Sequence, residues 1–319
     1  MPEPTSIDWG AEALRQQLDP LLPGIAVEIV ARTASTNSAL LARNPAGHRR
    51  DTGGETGADG GAATVRRSVE SAAFGRRALD LQPCLLVAEQ QTAGRGRPGR
   101  PWRSAPGASL TFSLALPLAA ADWSGLSLAV GVALCEALDP DATAPVRRLG
   151  LKWPNDLWLM DVGARGASGD SSGSAFGTAS SGRKLGGILI ETVAAGARRL
   201  VVVGVGLNLR RFDVPDAGTG FAALEELAAD AAAPAVLARV AAPLVRALQQ
   251  FERAGFGAFA ERFAARDLLR GRPVRTSLAE VPDGIARGVS PQGALLVQSG
   301  AGIASVASGE VSVRLAGAP

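Results

Sequence analysis

The sequence predicts an α+β protein, a larger domain of mixed strands and helices over residues 1–265 followed by a small all-β module over 266–319. Three observations carry that expectation. Ser109 to Leu116 alternates, placing Leu110, Phe112, Leu114 and Leu116 on one face of a strand. Val236, Leu237, Val240, Leu244, Leu248 and Phe251 instead recur at helical spacing. After Asp267 the pattern changes to short strands punctuated by Gly and Pro. At 319 residues the chain is long enough for two unequal domains.

Taken in order, a helix is predicted from Glu12 to Asp19 and a strand over Ile25 to Val30. Ser35 and Thr36 then cap a short helix starting near Asn37. Residues 44–71 hold Gly, Ala, Thr and charge with hardly a large apolar side chain, and read as a disordered insertion. A strand (Leu85 to Glu89), a Gly/Arg loop (Gln91 to Gly107), the alternating strand and a helix (Leu126 to Leu138) follow. Leu149 to Trp153 and Leu157 to Met160 flank a Pro154-Asn155-Asp156 turn. Residues 162–182 read as a second insertion, interrupting a hairpin. Strands Leu185 to Thr192 and Leu200 to Val205 end in a glycine turn, Gly204 to Asn208. Helices occupy much of Phe221 to Ala265, with Pro243 as a kink. Strands Gly284 to Val289, Ala294 to Val297 and Val311 to Arg314 make up the small module.

Composition excludes several classes of function. No apolar run reaches the roughly 20 residues of a membrane helix, and the N-terminus lacks the basic and apolar pattern of a secretory signal. Cytoplasmic residence is the expectation. Cys84 and Cys135 lie far apart in apolar runs and read as reduced, buried thiols. His48 is the one histidine and has no metal-ligand or triad partner beside it. A net charge of +3 does not by itself imply nucleic acid. Lys152 and Lys184 are the only lysines in an arginine-rich chain, so each is a candidate for a place where a guanidinium fork would not serve.

Four segments carry chemistry. Gly94-Arg95-Gly96-Arg97-Pro98-Gly99-Arg100-Pro101-Trp102-Arg103 sets four guanidinium groups on a backbone kept out of helix, suited to an anion, with an indole to stack on a base. Its Arg-Gly-Arg-Pro core also matches the minor-groove AT-hook, so a DNA-binding protein is a rival from another class. Lys152-Trp153-Pro154-Asn155-Asp156 gathers an ammonium, an amide and a carboxylate, a set that can serve a nucleotide and Mg²⁺ or merely a polar turn. Lys184 to Glu191 puts the second lysine before Gly186-Gly187 in an apolar strand, where glycine marks close approach. Gly204 to Asn208 is weak by itself, lacking the third glycine and following helix of a dinucleotide fold.

In order and spacing, Ser35-Thr36-Asn37 and these four segments resemble the signature set of biotin–protein ligases. The resemblance covers nearly the whole chain apart from the two insertions, and extends to Asp267 to Val274 and Ser308 to Arg314. It implies a catalytic domain like that of class II aminoacyl-tRNA synthetases, with a mixed sheet, and an SH3-like β-barrel after it. It further implies an ATP-dependent ligase that makes biotinyl-adenylate and passes biotin to a lysine of a biotin carboxyl carrier protein or domain. Some relatives carry an N-terminal winged helix, for which too few residues precede this core.

By the same resemblance Ser35, Thr36, Asn37, Gln91, Gly94 and Gly187 line the biotin site. Arg95, Arg97 and Lys184 hold the biotin carboxylate and α-phosphate and carry catalysis. Arg100, Trp102, Asn155, Asp156, Asn208 and Arg314 serve ATP together with Lys184, and Asp156 also Mg²⁺. A lipoate–protein ligase is the nearest enzymatic rival. No DNA and no membrane are expected as partners, and the oligomeric state stays open, a homodimer among the options.

Overall fold

A seven-stranded sheet and a five-stranded sheet organise the chain in a computed structural model that describes residues 7–43, 81–97, 100–140, 148–161, 182–195, 198–214, 220–307 and 313–315. The first part runs α1 (Ala11–Leu18), β1 (Ala26–Thr33), α2 (Thr36–Ala42), β2 (Cys84–Gln91), β3 (Gly94–Arg95), β4 (Pro101–Trp102), β5 (Ser109–Leu118) and α3 (Leu126–Leu138). Then come β6 (Leu149–Lys152), β7 (Asp156–Met160), β8 (Gly182–Ala195), β9 (Arg198–Asn208), α4 (Ala233–Ala254) and α5 (Ala260–Ala264). Strands β10 (Pro273–Thr276), β11 (Asp283–Val289), β12 (Leu295–Ser299), β13 (Gly302–Val306) and β14 (Val313–Leu315) close the chain.

The large sheet has the order β1-β2-β5-β9-β8-β7-β6, and only β1 and β2 pair in parallel, so it is mixed as the resemblance implies. The small sheet, β13-β12-β11-β10-β14, is antiparallel throughout. The two share one core: Trp153 is fully buried and its indole N–H donates to the Gly293 carbonyl at 3.0 Å. Asp267 bridges Leu151 of β6, so the chain leaves the large sheet along its edge.

The faces of the large sheet differ in chemistry. Toward α1, α3 and α4 lie Leu110, Phe112, Leu114 and Leu116 of β5 with Val201, Val203, Val205 and Leu207 of β9. Burying apolar surface of this kind is worth roughly 25 cal/mol per Å² and is the main stabilising term. Apart from the cluster of Trp158, Met160 and Leu268 at the β7 edge, the opposite face, covered by α2, is apolar only at one end, where Leu40 and Leu41 meet Leu86, Ala115, Leu200 and Val202. Its other end carries Thr111, Ser113, Gly204 and Gly206, and the site is built there.

Several sequence expectations need correction. Gly204 to Asn208 is not a turn but the end of β9, paired on both sides, because the glycines leave room for other groups. Phe221 to Ala223 is not helical: Phe221 bridges Lys184, and the long helix begins at Ala233. Pro243 falls inside a helix, as expected, and α4 runs on past it to Ala254. Ser109 to Leu118 is buried on both faces rather than one. Gly182 belongs to β8, opposite Met160. Residues 44–71 and 162–181 of the expected insertions lie outside the described residues. Cys84 and Cys135 are buried and form no disulfide, as expected. Beside Glu28, burial pushes the Cys84 thiol up to about 11.

Candidate active site

The site starts from the N-terminus of α2. Ser35 is extended and its hydroxyl accepts from Ser38 N–H, so the helix begins at Thr36 and delivers Thr36 and Asn37, both buried, over the sheet. Gln91 Oε1 accepts from the Thr36 N–H at 2.7 Å and lies 3.1 Å from its hydroxyl. Asn37 Nδ2 donates to the Leu189 carbonyl at 3.1 Å and to Glu191 Oε2 at 2.9 Å. Ser113 Oγ sits 2.6 Å from both Thr36 Oγ1 and Asn37 Oδ1. A serine carries one hydroxyl proton and Asn37 Oδ1 none, so the Ser113 proton serves Asn37 and the Thr36 proton serves Ser113. Gln91 keeps the backbone donor.

Two glycines on one face of β9 make room for what covers them. A Cβ on Gly204 would meet Asn37 Oδ1 at 2.3 Å, and one on Gly206 would meet the Trp102 indole at 2.4 Å. Both are closer than real Cβ atoms approach anything, so alanine at either position forces the covering side chain away. Gly94 matters likewise in the β3–β4 hairpin, where its Cβ would lie 2.5 Å from the Trp102 carbonyl. The Trp102 indole N–H is buried with no hydrogen-bond partner.

Beside Gly206 the register places Gly187, and beside Gly187, Asp156. Bare backbone thus runs between Trp102 and the charged groups. Lys184 joins them through a register shift. Side chains alternate along a strand, so an unbroken β8 would put Lys184 on the face opposite Gly187. Between Leu157 and Trp158 the pairing skips Leu185, and Lys184 comes opposite Trp158 on the site face. Its Nζ lies 2.7 Å from Asp156 Oδ1, a contact without hydrogen-bond alignment, so Oδ1 is buried and unsatisfied in direction. A Cβ on Gly187 would lie 3.5 Å from that ammonium.

The loop arginines divide. Arg95 is exposed and its Nη2 donates to Glu191 at 2.7 Å. Arg97 is half-buried, and burial lowers its pKa while the nearby Asp156 opposes that. Arg100 is exposed on the far limb. Asn155 Nδ2 donates to the Ile188 carbonyl at 2.8 Å, and buried Asn208 donates to the carbonyls of Ala222 and Lys184, so both fasten backbone around the lysine. Arg314 lies on β14 opposite Arg275, away in sequence and sheet from the other candidates.

Two participants escaped the sequence reading, Ser113 and Glu191. Ser113 could have been found as a polar position alternating with the apolar stripe of β5. Glu191 closes a segment already singled out, but only the fold shows that its carboxylate joins Asn37 to Arg95.

Among the described residues no group of three or more His, Cys, Asp or Glu is placed to hold a metal, and no helix is long and apolar enough to cross a membrane. What the arrangement offers is a set of neutral polar groups over Gly204, with the Glu191–Arg95 pair at their edge, and a glycine lane that runs from there to Lys184 and Arg97 beside Asp156. That suits a ligand with a polar uncharged head and an anionic end, next to a second anion.

Comparison with known proteins agrees with this. Residues 80–208 match the Biotin/lipoate A/B protein ligase family, and residues 271–314 the Biotin protein ligase C terminal domain. The Biotin--[acetyl-CoA-carboxylase] ligase of Mycobacterium tuberculosis is 32% identical over 298 residues, covering 89% of this chain and 88% of that protein. The Bifunctional ligase/repressor BirA of Salmonella typhimurium and that of Escherichia coli are each 34% identical over 236 residues, 72% of this chain but 66% of their own length. In fold, the biotin protein ligase from Aquifex aeolicus, solved in complex with biotin and ATP, superposes with a TM-score of 0.62, at 24% identity over 91% of this chain and 99% of that one. With a relative this similar matched over most of both lengths, and with both family regions present in order, the chain belongs to the biotin protein ligase family.

Proposed function

We infer that the chain activates biotin with ATP to biotinyl-5'-AMP and transfers the biotin to a lysine of a biotin carboxyl carrier protein or domain. The observation that carries this is the glycine lane, Gly204, Gly206 and Gly187, which Asn37, Trp102 and the Lys184–Asp156 pair cover in turn, with Arg97 near Asp156. In this reading Asn37, Thr36, Gln91 and Ser35 surround the ureido head, which needs both donors and acceptors. Arg95, Arg97 and Lys184 neutralise the biotin carboxylate and α-phosphate, whose mutual repulsion otherwise opposes the attack of carboxylate oxygen on phosphorus. Pyrophosphate leaves, and the acceptor amine then attacks the mixed anhydride, releasing AMP. Trp102 covers the adenine above Gly206. Asn155 and Asn208 act by holding the backbone that presents Lys184, and Arg100 and Arg314 are assigned to the phosphates by resemblance.

By resemblance Asp156 would give one oxygen to a Mg²⁺ that arrives on the triphosphate and keeps most of its ligands from phosphate and water, once Lys184, 2.7 Å from Oδ1, turns to the phosphates. Such an ion would supply charge neutralisation to the phosphates. We assign the large domain, residues 1–265, to the class II aminoacyl-tRNA synthetase-like architecture and 266–319 to an SH3-like barrel, with a cytoplasmic location and no DNA partner. The half-buried Arg97 and the paired β3–β4 hairpin favour a site wall over a free DNA-binding arm.

ATP–pyrophosphate exchange, run with biotin and with lipoate in parallel, tests the reading. Exchange that requires biotin supports it. Exchange with lipoate alone would move the chain to the lipoate branch, and no exchange with salt-sensitive binding of A·T-rich DNA would sink it.

A further inference from the structure

We propose that Glu191 is a positioning residue that couples recognition of the ligand's head to placement of the loop cation, an inference that rests on the ligase reading above. On β8 the residues 187, 189 and 191 share the site face, opposite 206, 204 and 202 of β9. Glu191 is thereby brought beside Asn37, and one oxygen, Oε2, accepts from Asn37 Nδ2 at 2.9 Å and from Arg95 Nη2 at 2.7 Å. Its side chain is 26% exposed, so the ion pair is partly shielded from water.

Two consequences follow from that shared oxygen. With Ser113 donating to Asn37 Oδ1 and Glu191 and Leu189 accepting from Nδ2, the Asn37 amide has one orientation, its carbonyl toward Ser113. Without the carboxylate the amide loses the stronger of its acceptors. The same carboxylate holds Arg95 through one guanidinium nitrogen, which leaves further N–H donors of the fork for an incoming anion. The β3–β4 hairpin is thus fastened to β8 beside Asn37 before ligand binds.

The test compares wild type with Glu191→Ala and Glu191→Gln. Biotin and ATP KM values and kcat come from pyrophosphate exchange, and tryptic cleavage after Arg95 and Arg103 is followed without ligand. Glu191→Ala should raise the biotin KM about tenfold or more, raise the ATP KM by less, lower kcat because Arg95 is no longer held, and speed loop cleavage. Glu191→Gln keeps an acceptor for Asn37 but not the charge, so it should recover part of the biotin KM while cleavage stays fast and kcat stays low. A biotin KM within twofold of wild type in Glu191→Ala, equal rises in both KM values, or a glutamine that restores nothing would overturn the proposal. If wild type shows no biotin-dependent exchange, the ligase reading fails instead. Cleavage then decides the proposal: unchanged rates in Glu191→Ala refute the hold on Arg95.

Discussion

Over Gly204 Thr36, Asn37 and Ser113 are neutral, buried and bonded to one another, with the Glu191–Arg95 pair at their edge, whereas over Gly187 the groups are the charged and partly exposed Lys184 and Asp156. Thr36, Asn37 and Ser113 spend their donors on one another and on the sheet, so they meet a neutral head by exchanging neutral bonds for neutral bonds. Lys184 and Arg95 have partners to share or exchange. A rigid pocket recognises by shape and pairing, and a set of neutralised cations waits for anions without the cost of bare buried charge. The difference teaches that binding and chemistry occupy adjacent stretches of one glycine lane and can be damaged separately.

The largest expected effect is on the charged side. Replacing Lys184 with Ala should lower the adenylation rate at least about a hundredfold, the scale of removing one preorganised charge from a transition state. The side chain is 30% exposed, so folding should survive. Single-turnover formation of adenylate measures this, and a rate within about threefold of wild type would remove Lys184 from the chemistry.

A sharper division comes from the two β9 glycines. Gly204→Ala displaces Asn37 and should raise the biotin KM by about one order of magnitude while sparing ATP, in line with losing buried hydrogen bonds. Gly206→Ala displaces Trp102 and should do the reverse. Steady-state kinetics varying each substrate in turn would show it. If both variants raise both KM values equally, the two ends of the lane are one unit and the comparison fails.

Much of this was legible in the sequence, and the parts that were not have physical reasons. The alternation of β5 and the helical spacing of α4 are local patterns, so those elements are found nearly where the sequence puts them. Ser35 as a cap is likewise local chemistry. Gly204 to Asn208 was misread as a turn because glycine marks turns and close approaches alike. Only the positions of Asn37 and Trp102 distinguish the two. The register shift that turns Lys184 onto the site face has no local signature beyond Gly186-Gly187. Glu191 and Ser113 became site residues only when strands far apart in sequence were aligned.

A smaller effect is expected at Ser113, whose hydroxyl relays between Thr36 and Asn37. Ser113→Ala removes the donor to Asn37 Oδ1 and frees the Thr36 proton to turn to Gln91. The remaining contacts still hold Asn37, so a rise of about three- to tenfold in biotin KM with unchanged kcat is expected. Isothermal titration with biotin measures the same loss directly. An unchanged affinity would mean that the relay is packing alone.

The smallest effect lies outside both ends of the lane, at Asp267, where the chain leaves β6 for the small sheet. Burial pushes its carboxyl up to about 6, against the Leu269 N–H at 2.9 Å and the nearby Arg270 and Arg272, which pull it down, and its Oδ2 has no hydrogen-bond partner. The pKa is raised above its ordinary 3.8, so the folded state holds the proton more tightly than the unfolded chain. The stability this gives is fully present below about pH 4 and is lost as pH rises through about 6. Glu28 and Glu226 act oppositely, their arginine partners lowering their pKa values so that their contribution is lost as pH falls. Total stability against pH mixes these signs, and the informative quantity is a difference between variants. Asp267→Asn keeps an acceptor for the Leu269 N–H and removes the titration. Its Tm relative to wild type should therefore be a few degrees higher at pH 7 than at pH 4. Adenylation kinetics should not change, since nothing in the lane touches Asp267. A Tm difference that stays constant from pH 4 to 7 would mean that the carboxyl titrates normally. A variant that shifts either KM at constant Tm would show that the junction reaches the site, and that its two ends do not act independently of the small sheet.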